Sequence, residues 1–244
     1  MTIVTEKTIK ISPPYIPALH ALEHARGGID EIRDALNAVA VLRGIGRTKA
    51  LWWFCNNWLP AGFLEASAGG SASCEYYSDR VVLRTGFTAN SYYMLVKKVG
   101  GYDSTPTWGK PRYMGVRLKL WYNTYQNIFV VTGNAPTTGS SNTYNHLGFL
   151  IREGHFYGTV GNGTSQSTSY IGSYDGTRDY FLELFFDPGV SKCTFYFDRT
   201  ERATITTNLP SGGDSEIFFL ARIENTTADD RSIEIKEVKT VQEE

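Results

Sequence analysis

Charge imbalance is nearly absent from this chain. Its 24 basic and 25 acidic residues leave a formal net charge of −1 over 244 residues, so nothing draws the molecule as a whole to nucleic acid or to an acidic membrane surface. No run of about eighteen apolar residues occurs, which excludes a helical membrane span. Met1-Thr-Ile-Val-Thr-Glu-Lys7 is polar where a secretory signal needs its apolar centre, so folding in a cytoplasm is expected. Cysteine is scarce: Cys55, Cys74 and Cys193 form an odd set with no CxxC pair and no histidine close by. They read as reduced thiols rather than as a disulfide framework or a zinc site.

Familiar catalytic signatures are missing too. No serine sits in GxSxG, and no glycine-rich loop precedes a Lys-Ser or Lys-Thr pair. His20 and His24 have the i, i+4 spacing of a helix-borne metal pair, but no HExxH surrounds them and Pro17 lies just upstream. His146 and His155 flank a predicted hairpin without a third partner. Glu183 and Asp187 share a strand face, the arrangement that sandwich glycosidases use for acid and nucleophile. Phe185 stands between them, however, and Asp187 opens the turn Asp-Pro-Gly189. No catalytic residue is assigned.

What the chain does have is aromatic and apolar strand sequence: 14% of residues are aromatic and 41% hydrophobic, enough for a sizeable core. From Val81 onward, eleven strands are predicted at 81–87, 92–99, 113–122, 127–132, 146–151, 155–160, 179–187, 193–198, 202–207, 216–224 and 231–241. Alternation in Val116-Arg-Leu-Lys-Leu120 turns Arg117 and Lys119 to water and Val116, Leu118 and Leu120 to the core. Asp187-Pro-Gly189, Gly161-Asn-Gly163, Asn208-Leu-Pro-Ser-Gly-Gly213 and Gly100-Gly101 punctuate the strands as turns. With no long helical pattern between them, the sheets must be antiparallel. The fold class is mainly β: a two-sheet jelly-roll sandwich preceded by an extended arm and one short helix.

Residues 1–50 differ in character from the rest of the chain. Pro13, Pro14 and Pro17 keep the first 17 residues extended. A helix is predicted over 29–43, with Asp30, Glu31 and Asp34 at its positive end, Arg43 at its negative end and Gly44 as its stop. Leu22, Ala25, Ile29, Ile32, Leu36 and Val39 are spaced 3-4-3-4-3, which fits either a helix packed on its own β domain or a self-association stalk. Residues 51–64 are aromatic with neither helical nor strand period. Their tryptophans read as packing against a sheet edge or helix, with a sugar-stacking platform as the alternative. Two units are therefore expected, 1–50 for anchoring and 51–244 for the sandwich.

Ligand contacts, if any, belong to loops 100–112, 133–145 and 161–178, which carry Tyr102, Trp108, Tyr144, Tyr170 and Tyr174. Asp175, Asp179, Asp229 and Asp230 are candidate calcium ligands and equally good turn formers. Asn162-Gly-Thr164 and Asn225-Thr-Thr227 match the glycosylation sequon and read as turns.

Two resemblances rest on quoted residues. The segment from Arg80 to Gln242 resembles the concanavalin-A-like lectin/laminin-G-like sandwich. It does so through Tyr180-Phe-Leu-Glu-Leu-Phe-Phe-Asp-Pro-Gly189, Cys193-Thr-Phe-Tyr-Phe-Asp198, Ala203-Thr-Ile-Thr-Thr-Asn-Leu-Pro210 and Asn225-Thr-Thr-Ala-Asp-Asp-Arg-Ser-Ile233. That superfamily includes lectins, enzymes and inert modules, so the resemblance implies a fold and not an activity. His24-Ala-Arg-Gly-Gly-Ile-Asp-Glu-Ile32 resembles a His-x-x-Gly-Gly-x-Asp-x-Ile motif of tailed-phage virion proteins. It implies a non-enzymatic structural protein of the virion surface, a capsid decoration, head fibre or tail component. Such a protein is usually a homotrimer held to the major capsid or tail protein. Ile9, Ile11, Tyr15 and Ile16 would bury on that partner, and Ile29, Ile32, Leu36 and Val39 would drive self-association. The alternative expectation is an adhesin for host glycans, without a required cofactor.

Overall fold

The structure is a computed structural model that describes residues 48–54, 63–98, 107–136, 139–212 and 217–243. The arm, the 29–43 helix, Ile9, Ile11, Tyr15, Ile16, Ile29, Ile32, Leu36, Val39 and Tyr102 lie outside the described residues. The described residues fall in one compact unit, Ile45–Glu244.

All eleven predicted strands are present: β4 Val81–Arg84, β5 Tyr92–Lys98, β6 Arg112–Leu120, β7 Gln126–Gly133, β8 His146–Arg152, β9 His155–Gly161, β11 Asp179–Asp187, β12 Lys192–Phe197, β13 Thr200–Ile205, β14 Ile217–Asn225 and β15 Ser232–Glu243. Four more complete the sandwich: β1 Thr48–Phe54, β2 Phe63–Ala68, β3 Ser73–Tyr76 and β10 Gln166–Ser173. The first sheet runs β13-β12-β11-β6-β15-β4-β3, with β1 also paired to β15; the second runs β10-β9-β8-β7-β14-β5-β2. Every pairing among them is antiparallel. The long β15 serves two neighbours on one flank: its start pairs with β4 and its remainder with β1.

Two expectations need correction. Residues 166–173, placed in a loop, form an edge strand. Gln-Ser-Thr-Ser-Tyr-Ile-Gly-Ser is too polar to announce itself, because an edge strand buries little and needs few apolar residues. Residues 51–64, read as lacking strand period, hold most of β1 and the start of β2. An apolar run has no alternation to find.

The core lies between the sheets. On β11 the alternation is complete: Tyr180, Leu182, Leu184 and Phe186 are buried, and the residues between them are half-buried. They share the core with Phe149 and Phe156 from the facing sheet and with Phe195 from the neighbouring strand β12. Each such side chain contributes about 1.5–3 kcal/mol. On the outer face of the first sheet, Arg117 and Lys236 pair with Asp179 at 2.6 and 2.8 Å, and Lys239 pairs with Glu237 at 2.8 Å. Partly exposed pairs of this kind contribute at most about 1 kcal/mol each. The apolar filling, not the charge stripe, therefore holds the sheets together. The described cysteines, Cys74 and Cys193, are free thiols, and burial pushes Cys74 up to about 11.

Candidate functional site

The outer face of the second sheet divides into a covered part and an open part. Val96, Phe129, Val131, Leu150 and Leu220 form a second buried apolar cluster there, and Ala135 of the β7–β8 connection packs on it. Gly139 and Asn142 of the same connection are held by the sheet and its edge. Arg222 and Glu224, almost fully buried, form an ion pair with each other. They also bind the Gly139 backbone: Gly139 N–H donates to Glu224 Oε2 at 2.7 Å, and Arg222 Nη1 donates to Gly139 O at 3.2 Å.

At its far end the connection is fastened by His146. Nδ1–H donates to the Tyr144 carbonyl at 2.7 Å, which leaves Nε2 to accept from the Thr159 hydroxyl at 3.0 Å. Gln166 donates to Thr159 Oγ1 and accepts from Asn142 N–H, both at 2.8 Å. Burial pushes the His146 imidazole down to about 4, against the raising influence of the Tyr144 carbonyl, so it is neutral at pH 7.

The open part is at the β8–β9–β10 end. Glu153 and Gly154 both have positive φ, 49° and 75°. This is the two-residue turn whose twist matches that of the flanking strands, and it sets Arg152 opposite His155. Tyr170 pairs directly with Tyr157 across β9–β10. A bulge follows between Tyr170 and Gly172. It sends Ile171 into the core and returns Ser173 to the face occupied by His155. Gly172 is required here because a Cβ would come within 2.9 Å of the buried Phe197 ring.

The result is a rigid cluster. The rings of Tyr157, Tyr170 and His155 meet pairwise edge to face, with centroids 5.8–6.4 Å apart. Ser173 Oγ lies 2.8 Å from Tyr170 Oη and 3.0 Å from His155 Nδ1. The Arg152 guanidinium stacks 5.3 Å over Tyr157. Tyr170 is 55% exposed and borders a depression of about 390 Å³, lined also by Ser173, Phe197 and Arg202. Fixed aromatic faces ringed by hydroxyl, imidazole and guanidinium groups suit a ligand with one apolar face and a polar rim.

The four expected glycan-contact residues that are described are dispersed. Tyr170 lies in this cluster. Tyr144 is exposed at the opposite end of β8, and Tyr174 packs against the core, its ring 6.1 Å from Tyr180. Trp108 is only 2% exposed and covers the buried Arg112, whose guanidinium lies 4.3 Å from the indole. Its apolar bulk is used in the core, so it offers no open surface. Arg112 donates to Thr132 Oγ1 at 2.6 Å and Gln242 Oε1 at 2.7 Å, with no carboxylate partner among the described residues.

Sequence reasoning missed Tyr157, His155 and Ser173 as a group, because their proximity depends on register and on the bulge. It also missed Trp121-Tyr-Asn-Thr-Tyr125, where three aromatics crowd a short connection; that density was the available signal.

The catalytic and calcium candidates have structural partners. Glu183 and Asp187 are four residues apart on one strand face, about 13 Å, wider than the roughly 5–10 Å that glycoside hydrolysis requires. Glu183 accepts from Tyr113 Oη at 2.6 Å, and Asp187 caps the following turn by accepting from Gly189 N–H at 2.9 Å. Asp175 accepts from Arg178, Asp230 from Arg84 and Gly86 N–H, and Asp229 from Arg231 and Thr227. Burial would raise the Asp179 carboxyl, but hydrogen bonds from Lys236 and Arg117 outweigh it and hold it below its ordinary value. No cluster of three metal-ligating side chains occurs among the described residues. Asn162 accepts from Thr164 and Ser165 N–H in a tight turn, and Asn225 is fully buried, donating to Gly86 O and Asp229 O.

Solved structures share this architecture at low sequence identity. The carbohydrate-recognition domain of Emp47p aligns with a TM-score of 0.53 and 13% identity, over 78% of this chain and 93% of that one. A β-glucanase from Bacillus licheniformis aligns with a TM-score of 0.54 and 11% identity, over 80% and 98%. The fold is a concanavalin-A-like jelly-roll sandwich. A protein of unknown function from Shewanella oneidensis MR-1 has it too, with a TM-score of 0.54 and 13% identity over 81% of this chain and 88% of that one. No protein-family model and no curated protein sequence matches the chain. The sandwich thus serves both a recognition domain and a hydrolase, and function must be read from the site.

Proposed function

We propose that this protein is a non-catalytic carbohydrate-binding sandwich whose contact surface is the Tyr157–Tyr170–His155 cluster and the adjoining depression. The observation that carries this reading is the exposed Tyr170, set against the half-buried Tyr157 and fixed by Ser173, beside a depression of about 390 Å³. A pyranose presents one face of polarised C–H groups, which packs on the electron-rich face of a tyrosine. Its hydroxyls would exchange hydrogen bonds with Ser173, His155 and Arg202. The carbohydrate-recognition domain among the neighbours supports this choice, and the wide spacing of Glu183 and Asp187 disfavours hydrolysis. No metal is required, because the acidic loops already have cationic or hydroxyl partners. A glycan array probed with the full chain, with and without calcium, tests the proposal. Calcium-independent binding that Tyr170→Ala weakens at least tenfold is expected, and silence across the array would refute it.

A second role, compatible with the first, is attachment to a virus particle through residues 1–50. It is favoured by the His24-to-Ile32 motif and the proline-rich arm. In this reading the chain is a trimeric surface protein of the virion, held by the capsid or tail protein, and the sandwich presents its glycan site to the host.

A further inference from the structure

We infer that a second aromatic contact, built on Tyr122 and Tyr125, extends the glycan surface and makes the ligand an oligosaccharide rather than a single sugar. This rests on the carbohydrate reading of the Tyr170 cluster.

The connection from β6 to β7 carries Trp121, Tyr122 and Tyr125, which are 46%, 44% and 53% exposed. Trp121 is committed: its Nε1–H donates to Glu234 at 2.7 Å and Lys119 stacks over its ring at 4.0 Å. Tyr122 and Tyr125 instead share one cation. The Arg231 guanidinium stands between them, 4.9 Å from one ring and 5.7 Å from the other. It is itself held by Asp229 at 3.1 Å. Backbone bonds hold the loop as well: Gln126 Nε2 donates to Tyr122 O, and Thr226 N–H donates to Tyr125 O at 2.9 Å. Two large rings are thus kept in water in a fixed orientation, where free rotamers would cost less conformational entropy.

Tyr125 also has φ 59°, in the left-handed region where glycine or asparagine is at ease and a bulky residue is strained. Asparagine would relieve that strain, so the backbone conformation does not favour the aromatic ring. Strain of this kind concentrates at binding and catalytic sites.

Position completes the inference. A Cβ on Gly154 would lie 3.4 Å from Asn123 O, so the 121–125 loop abuts the Glu153–Gly154 turn. That turn joins Arg152 to His155, at the near edge of the Tyr170 cluster. From Tyr157 to the turn is three to four residues of strand, roughly 10–13 Å. The two aromatic contacts therefore belong to one end of the sandwich, one on the connection that joins the two sheets and the other on β9 and β10 of the second sheet. A single sugar cannot touch both, whereas a glycan chain lying across the turn can.

The test uses the full chain with Tyr125→Asn and Tyr122→Ala. The probe is an array of neutral and acidic mono-, tri- and hexasaccharides, and the best binder is then titrated at each length. Tyr125→Asn is expected to keep its Tm within about 4 °C, the shift of a 1 kcal/mol change in a domain of this size. It should lose roughly tenfold in affinity for the hexasaccharide with monosaccharide affinity unchanged, and Tyr122→Ala should behave alike. Hexasaccharide affinity indifferent to both substitutions overturns this inference and leaves the Tyr170 site standing. An unmodified chain that binds nothing overturns both.

Discussion

His146 shows how much one residue settles. Its Nδ1 and Nε2 are both committed inside the fold, and burial pushes its pKa from the ordinary 6.5 to about 4. The unfolded chain therefore takes up a proton that the folded chain refuses between pH 6.5 and about 4. Stability is full above that window and falls as pH drops through it. The loss amounts to roughly 3 kcal/mol, at about 1.4 kcal/mol per pH unit. Urea unfolding at pH 7.5 and 4.5 should show this acid loss in the native protein, and His146→Asn should remove that share of it. A pH profile unchanged by the substitution would mean that His146 is not the titrating group. In the sequence, His146 and His155 look like a matched pair. The difference between them is burial, which a sequence does not display: one is structural, and the other is exposed beside Tyr170.

Among the elements, the β7–β8 connection departs most from its sequence reading. Its polar composition suggests an exposed loop for ligand contact, yet Asn142 is fully buried and Gly139 is bound from both sides by Arg222 and Glu224. Glu224→Gln would leave the buried Arg222 without its counter-charge. That should cost about 3–5 kcal/mol and expose residues 134–145 to limited proteolysis; a stable, protease-resistant variant would show that the ion pair does not hold the connection down.

Strands with apolar alternation, such as Tyr180, Leu182, Leu184 and Phe186 on β11, were legible because periodicity and burial report the same fact. The edge strand β10 was not, since its partners and its bulge supply what its sequence omits. The candidate site sits at that least legible strand. Tyr170 stood out as an aromatic in a polar segment. Tyr157 opposite it, and Ser173 brought round by the bulge, could be found only through register.

As a whole molecule, a sandwich with a broad apolar core displays rigid aromatic groups at one of its ends. The anchoring role proposed for residues 1–50 is separable from that display. Deleting residues 1–28 should abolish co-sedimentation with particles while glycan binding by the remainder persists; co-sedimentation at the undiminished level would remove the anchor reading.

Carbohydrate binding at the Tyr170 cluster can be read by titration calorimetry of the full chain against the strongest array ligand. Saturable binding is expected, weakened at least tenfold by Tyr170→Ala, as the loss of a central aromatic contact worth about 2 kcal/mol requires, with Tm little changed. Equal affinity in the native protein and in Tyr170→Ala would contradict it.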